Sequence, residues 1–164
     1  MAHHARPALS IVIPIFNEED NVPLLAAEIR QTLDPHGIAY EVIAVDDGST
    51  DASWSRLESV RAADPRWILV ALRRNFGQTA ALSAGFDHAQ GAVVVPLDGD
   101  LQNDPADIPR LLALAKDYDI VSGWRKNRQD PFLSRRLPSL LANWLISTVT
   151  GIRLHDYGCT LKAY

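Results

Sequence analysis

The most constraining feature of this chain is a repeated alternation between continuous apolar runs and segments whose apolar residues recur at helical spacing. Residues 9–16 form the first apolar run, and Val22, Leu25, Ile29 and Leu33 follow it at the spacing of one helix face. Strands that are apolar without alternation are buried on both faces, which is typical of parallel sheets covered by helices. The pattern predicts a strand, a loop and a helix as the first unit.

The same unit recurs along the chain. The spacing predicts further strands at residues 40–45, 67–72, 92–97 and 119–123, and helices ending near residue 63 and spanning 77–89 and 105–115. Such a chain folds as a doubly wound α/β domain, a mainly parallel sheet with helices on both faces. Its 164 residues suit one domain. We assign residues 9–164 to it and expect residues 1–8 to lie outside the fold.

The two ends of the chain carry little targeting information. Residues 1–7 lack an apolar core of signal-peptide length. A strand-like pattern runs through residues 160–164 without closing turn residues, which predicts a truncated domain that continues in a longer protein.

Composition narrows the possible functions. Cys159 is the only cysteine, which excludes an intrachain disulfide and a cysteine-rich zinc site and favours a reducing compartment. The formal net charge is -4, without the overall basic character of a nonspecific nucleic-acid binder. The longest apolar stretch, residues 137–152, is interrupted by polar residues and is shorter than a membrane span. These features favour an acidic globular domain that does not bind nucleic acid.

Acidic residues follow the predicted fourth strand directly. Asp98 and Asp100, separated by Gly99, stand at the strand end, and ligands of parallel α/β sheets bind beyond such ends. Carboxylate oxygens are ligands for Mg²⁺ or Mn²⁺, and an ion held by one or two carboxylates completes its shell with phosphate oxygens and water. The alternative is a solvated Asp-Gly turn.

A second acidic cluster, residues 46–51, follows the predicted second strand. Its carboxylates can accept hydrogen bonds from a base or from ribose hydroxyls, which favours a nucleoside role for Asp47. Helix capping is the competing account, and Ser49 or Thr50 is the expected cap. No Gly-x-Gly-x-x-Gly follows the first strand, which disfavours a dinucleotide oxidoreductase.

Three motifs in this order resemble glycosyltransferase family 2, whose fold is the GT-A arrangement. They are VIPIFNEE at residues 12–19, VDDGSTD at 45–51 and DGDLQ at 98–102. Three further segments are similar to the polyprenyl-phosphate branch of that family, which includes dolichol-phosphate mannose synthases and bacterial undecaprenyl-phosphate glycosyltransferases. They are RNFGQ at residues 74–78, VSGWR at 121–125 and DYGCTLK at 156–162.

The resemblance implies a donor site and a metal pair. Asp98 and Asp100 match the metal-binding aspartates of the family, with Mg²⁺ or Mn²⁺ as cofactor. The residues implied to bind the donor nucleotide are Pro14, Phe16, Glu18, Val45, Asp47, Gly77, Gly99 and Gln102. Bacterial relatives favour UDP-sugars over GDP-sugars.

The resemblance also implies two catalytic positions. Arg125 matches a position near the donor phosphates, where a cation stabilises the departing nucleotide; the alternative is a surface arginine. Asp156 is the candidate general base. However, a phosphate acceptor is already anionic near neutral pH and scarcely needs a base. The alternative is that Asp156 orients a ligand or binds the metal indirectly.

One basic cluster precedes the apolar segment of residues 137–149. It consists of Arg125, Lys126, Arg128, Arg135 and Arg136. This order suits an interfacial helix that lies on a membrane surface and holds a lipid phosphate. It equally suits a core helix preceded by a solvated loop.

The sequence therefore predicts a metal-dependent, inverting glycosyltransferase that moves a sugar from a nucleotide diphosphate sugar to a polyprenyl phosphate. We expect it to act at the cytoplasmic face of the membrane. The alternatives are a family 2 enzyme with a soluble saccharide acceptor and a nucleotide-sugar binding module without catalysis. The sequence does not determine the sugar or the oligomeric state.

Overall fold

The computed structural model describes residues 6–123, 148 and 159–164. The strands are β1 Leu9–Ile15, β2 Tyr40–Asp46, β3 Trp67–Ala71, β4 Val93–Pro96, β5 Val121–Ser122 and β6 Lys162–Ala163. The helices are α1 Asn21–Leu33, α2 Ser53–Ala63, α3 Gln78–His88 and α4 Ile108–Leu114, with short 3₁₀ turns at Asp34–His36 and Pro105–Asp107.

Four parallel strands form the main sheet in the order β3-β2-β1-β4. β1 pairs with β2 over its whole length, from Leu9 beside Tyr40 to Ile15 beside Asp46. All four strands therefore end at one edge, which we call the carboxyl edge. The loops that leave this edge carry the acidic motifs.

Alternate residues of the central strands pack on opposite faces of the sheet. Ile11 and Ile13 belong to the core shared with α1 and α2, whereas Val12 packs with Ile43 and with Ala81 of α3. α3 approaches β1 closely, since a Cβ on Gly85 would lie 2.3 Å from Val12 Cγ1. Helices thus cover both faces of the described sheet, and the doubly wound prediction is confirmed.

The last residues of the chain extend this sheet in the antiparallel sense. The backbones of Val94 and Tyr164 exchange two hydrogen bonds of 3.0 Å, and β6 pairs antiparallel with β5. The predicted fifth strand is shorter than expected, because only Val121 and Ser122 enter a ladder. A sequence pattern cannot reveal this pairing, whose partner lies about forty residues further along the chain.

The helix predicted at residues 105–115 is divided. It begins as the 3₁₀ turn, in which the Asp104 side chain accepts a hydrogen bond from the Ala106 amide, and becomes α-helical only at Ile108. Pro105 and Pro109 both lack an N–H group, so the first turns can make few backbone hydrogen bonds. The helical assignment was correct in type and one turn too long.

Arg66 joins three segments at the opposite, amino edge of the sheet. Its guanidinium pairs with Asp34 and Asp64, each at 2.7 Å, and lies 4.2 Å from the ring centroid of Tyr40. Hydrogen bonds from Arg66 lower the pKa of both carboxyl groups below 3.8, and burial raises the pKa of Tyr40 to about 12. This cluster fixes the chain where it enters β2 and β3.

The Arg66 cluster predicts a specific acid dependence of stability. A carboxyl group whose pKa is lowered by folding stabilises the fold above its unfolded pKa, and this contribution is lost as the pH falls through the folded value. Arg66→Met should lower the free energy of unfolding near pH 7. The difference from wild type should shrink as the pH falls below 3.8, the ordinary value for these groups. Urea unfolding at several pH values measures this, with exposed Arg56→Met as control; a pH-independent difference would contradict it.

Candidate functional site

A cavity of about 370 Å³ opens at the carboxyl edge of the sheet. Its lining comes from four loops and from the end of the described chain. The lining residues are Pro14, Ile15, Phe16, Glu18, Asp47, Asn75, Gly77, Gln78, Asp98, Gly99, Asp100 and Thr160. Segments as far apart in the sequence as those of Pro14 and Thr160 therefore meet at one place.

The loop after β1 is joined to the loop after β2 by side chains that bind backbone amides. Ser49 Oγ accepts from the Asn17 N–H at 3.0 Å, and Ser53 Oγ accepts from the Glu18 N–H at 2.7 Å. In the other direction, Asn17 Oδ1 accepts from the Thr50 N–H at 2.8 Å. Most polar residues of the first two motifs thus hold the two loops together.

Acidic side chains complete this junction. Glu19 Oε2 accepts from the Ala52 N–H at 2.8 Å, and Asp51 accepts from the N–H groups of Glu19 and Ser53. Desolvation acts to raise the pKa of Asp51, but hydrogen bonds from Ser53 and Glu19 outweigh it and lower that pKa below 3.8. Asp51 is therefore a structural carboxylate that stays ionised near neutral pH.

Asp47 holds a third loop. Its Oδ1 accepts from the Phe76 N–H at 2.8 Å, and its Oδ2 accepts from the Gly77 N–H at 2.9 Å. The residue is 3% exposed and also lines the cavity. Asp47 therefore fixes the loop that leads into α3. The sequence had predicted a nucleoside contact or helix capping for this motif, but not this role.

The two aspartates after β4 differ in environment. Asp98 is half-buried, and its Oδ1 and Oδ2 accept hydrogen bonds from Gln78 Nε2 at 2.8 Å and from Asn103 Nδ2 at 2.7 Å. Asp100 is exposed and accepts only from the Gln102 N–H, at 3.1 Å, among the contacts described. The pair is thus one fixed and one more open carboxylate.

The chain around this pair is closely constrained. A Cβ on Gly99 would lie 2.9 Å from Ile15 Cδ1 and 3.1 Å from the Pro14 carbonyl oxygen, so the missing side chain makes room for β1. Leu101 has a φ of 61°, a left-handed conformation that costs a non-glycine residue about 1–2 kcal/mol. This strain lies directly after Asp100, where strained backbone often marks functional sites.

Two predicted site residues do not line the cavity, and two others lie outside the described residues. Val45 is fully buried in the core beneath α3, and Gln102 is exposed beside Asp100. Arg125 and Asp156 lie outside the described residues. The basic cluster lies there too, as does the apolar segment after it except Thr148, which is helical and exposed.

Sequence reasoning missed several residues of the site. Asn75, Gln78 and Thr160 lie in segments that resemble the polyprenyl-phosphate branch but had no assigned role, and Asn103 had none either. The available signals were membership of these segments and, for Asn103, an amide side chain directly after the third motif. That Thr160 reaches the cavity could not be predicted, because its position depends on the pairing of β6.

Residues 6–123, 148 and 159–164 contain neither a membrane-spanning helix nor a closed metal site. No helix within these ranges is long and apolar enough to cross a membrane. They also contain no group of three or more His, Cys, Asp or Glu side chains arranged to hold a metal ion. Asp98 and Asp100 thus form a pair of carboxylates among these residues and not a closed metal cage.

Known proteins resemble the chain over nearly its whole length. The sequence profile of the family described as "Glycosyl transferase family 2" matches residues 10–162. A dodecaprenyl-phosphate galacturonate synthase from Rhizobium johnstonii is 46% identical, over 95% of this chain and 47% of that protein. An undecaprenyl-phosphate 4-deoxy-4-formamido-L-arabinose transferase from Pseudomonas fluorescens is 48% identical, over 95% of this chain and 46% of that protein. The chain spans about half the length of these curated relatives.

Solved structures resemble the fold. Glucosyl-3-phosphoglycerate synthase from Mycobacterium tuberculosis, in complex with Mn²⁺, UDP and phosphoglyceric acid, matches with a TM-score of 0.72 at 20% identity, over 96% of this chain and 55% of that one. A mannosyltransferase from Pyrobaculum calidifontis, in complex with GDP-Man and Mn²⁺, matches with a TM-score of 0.58 at 27% identity, over 68% and 33% of the two chains. The fold is the GT-A arrangement, as the sequence resemblance implied.

The contact between the loops after β2 and β3 predicts an unequal effect of two glycine substitutions. Gly37 and Gly48 both have positive φ, of 62° and 72°, but a Cβ on Gly37 would meet open space, whereas one on Gly48 would lie 2.5 Å from the Arg74 carbonyl carbon. Gly37→Ala should cost about 1–2 kcal/mol from its left-handed conformation alone. Gly48→Ala should cost about 1–3 kcal/mol more, because the 74–75 backbone must move. Urea unfolding of both variants measures the difference; equal losses would show that the contact is unimportant.

Proposed function

Because this chain belongs to glycosyltransferase family 2, we propose that it forms the donor site of an inverting glycosyltransferase that moves a sugar from a nucleotide diphosphate sugar to a polyprenyl phosphate. The observation that carries the proposal is the carboxyl-edge cavity. It joins the loops of all three family motifs and contains two carboxylates beyond the end of β4.

The nucleoside end of the donor is assigned to the β1 and β2 side of the cavity. Phe16 lines the cavity and is 43% exposed, so its ring offers a surface for a base. Each oxygen of Asp47 accepts one backbone hydrogen bond and retains a further lone pair. Asp47 would direct these lone pairs to a base N–H or a ribose hydroxyl.

The diphosphate is assigned to the β4 side, next to Asp98 and Asp100. Their donor set fits a divalent cation, because both offer hard carboxylate oxygens and Asp98 retains lone pairs beyond its two amide hydrogen bonds. Among the described residues, no third acidic side chain joins these two carboxylates to form a metal site. An open pair of this kind suits Mg²⁺ or Mn²⁺, which complete their shell with phosphate oxygens and water. When bound, the cation would neutralise charge on the departing diphosphate.

The reaction proposed is a direct displacement. An oxygen of the acceptor phosphate forms a bond to the anomeric carbon while the bond from that carbon to the donor phosphate oxygen breaks, and the nucleoside diphosphate leaves with the electron pair. The acceptor phosphate is already anionic and has little need of a base, so Asp156 would serve to orient it. Arg125 would face the donor phosphates.

The choice of acceptor is supported by the relatives. The names of two relatives at 46% and 48% identity specify dodecaprenyl phosphate and undecaprenyl phosphate. A polyprenyl chain resides in a membrane, so the enzyme would act at a membrane surface, which we assign to the cytoplasmic face. The basic cluster that begins at Arg125 would attract the anionic lipid phosphate.

Donor binding is tested by calorimetric titration of UDP and GDP, each with and without Mn²⁺. We expect UDP to bind more tightly than GDP, and Mn²⁺ to strengthen binding by at least about tenfold, since metal and phosphates share one coordination shell. Asp100→Ala should abolish the effect of Mn²⁺. Asp87→Ala, which changes an exposed residue of α3, is the matched control. Absence of nucleotide binding to the folded chain would refute the donor site.

Acceptor choice is tested by sugar transfer with the full-length gene product, because the curated relatives are about twice as long as this chain. Radiolabelled sugar from the preferred nucleotide donor should appear in undecaprenyl phosphate presented in phospholipid vesicles. It should not appear in soluble saccharides. Transfer to a saccharide alone would favour the alternative family 2 acceptor class, and donor binding without any transfer would favour a binding module.

A further inference from the structure

We propose that Gln78 and Asn103 are positioning residues that hold the Asp98 carboxylate in the orientation that binds the divalent cation of the donor complex. The inference rests on the proposed function and assigns roles to two residues for which the sequence had suggested none.

The two amides approach Asp98 from different parts of the chain. Gln78 is the first residue of α3 and donates to Oδ1 at 2.8 Å, while Asn103 lies between β4 and α4 and donates to Oδ2 at 2.7 Å. Because both carboxylate oxygens are held, rotation about the Cβ–Cγ bond of Asp98 would break both hydrogen bonds. The carboxylate plane is therefore restrained before any cation arrives, on one side by the exposed hydrogen bond of Gln78 and on the other by the partly buried one of Asn103.

Neutral amides are suited to this task. A lysine or arginine in either position would neutralise Asp98 and reduce its attraction for a cation, whereas an amide orients the carboxylate and leaves its charge in place. Asn103 is only 8% exposed, so its side chain is itself held by packing. Partners of metal-binding carboxylates that are fixed in this way commonly affect metal affinity.

Asp100 has no comparable support among the described contacts. It is exposed and accepts one backbone hydrogen bond, from Gln102. The asymmetry assigns Asp98 as the preorganised ligand and leaves Asp100 free to adjust when the donor phosphates arrive. Ordering one carboxylate in advance lowers the entropy that binding must remove.

Gln78 in turn depends on the second acidic motif. Asp47 binds the N–H groups of Phe76 and Gly77, the two residues before Gln78, and Gly77 turns the chain into α3 with a φ of 93°. The loop that presents Gln78 is thereby fixed to the end of β2. The nucleoside side and the metal side of the cavity are thus connected through residues 76–78.

The experiment measures the dissociation constant for Mn²⁺ in the presence of saturating UDP by electron paramagnetic resonance of free Mn²⁺. Gln78→Met keeps the length of the side chain and removes its donor. Exposed Gln31→Met on α1 is the matched control, and Asn103→Ala tests the second hydrogen bond. UDP affinity without metal and urea unfolding are measured for every variant, because a role confined to loop packing would change stability and leave Mn²⁺ affinity untouched.

We expect Gln78→Met to weaken Mn²⁺ binding by about 10- to 100-fold. Its metal-free UDP affinity should remain within about twofold of wild type, and Gln31→Met should match wild type throughout. Unchanged or tighter Mn²⁺ binding by a folded Gln78→Met would overturn the positioning role and leave the proposed function standing. Failure of the wild-type chain to bind UDP and Mn²⁺ together would overturn both.

Discussion

The structure of the site depends on side chains that satisfy the backbone N–H groups of the loops at the carboxyl edge. A parallel sheet sends every strand into a separate loop there, and no ladder is available to pair the loop amides. Ser53, Asn17 and Asp47 bind amides of neighbouring loops at 2.7–2.9 Å. Three loops become one surface in this way, and within the described chain no buried side-chain polar atom lacks a hydrogen-bond partner.

This arrangement changes how acidic motifs of such a chain are interpreted. Asp51 and Glu19 accept hydrogen bonds from backbone amides, whereas Asp47 both holds a loop and lines the cavity. A structural hydrogen bond to a carboxylate does not exclude a ligand, because each oxygen has more than one lone pair. Asp47 therefore supports the scaffold and would also be able to bind the proposed ligand, whereas Asp51 in the same motif only supports the scaffold in the contacts described.

The two edges of the sheet use charge in different ways. At the amino edge the single positive charge of Arg66 is shared by Asp34 and Asp64, with which it forms two ion pairs. At the carboxyl edge, among the described contacts, Asp98 is paired with neutral amides and Asp100 with a backbone N–H, so neither has a cationic partner in that part of the chain. Ion pairing with Arg66 stabilises the chain entry to the strands, whereas the two carboxylates after β4 would be available to attract a cation.

The sequence by itself determined the order and type of the main elements, because continuous apolar runs and helical spacing can be recognised within each short segment of the chain. It also placed Phe16, Glu18, Asp47 and the Asp98 pair at one edge, since parallel strands end together, and the family resemblance added Pro14; the ligand roles of these residues remain predictions. Only the tertiary structure decided that Asp47 holds the 76–77 amides and that Gln78 and Asn103 bind Asp98. These are contacts across 5 to 30 residues, set by how loops pack and not by any periodic pattern. The sequence showed the strand-like pattern of residues 160–164 but not its place beside β4, because pairing between distant segments leaves no mark in either one alone.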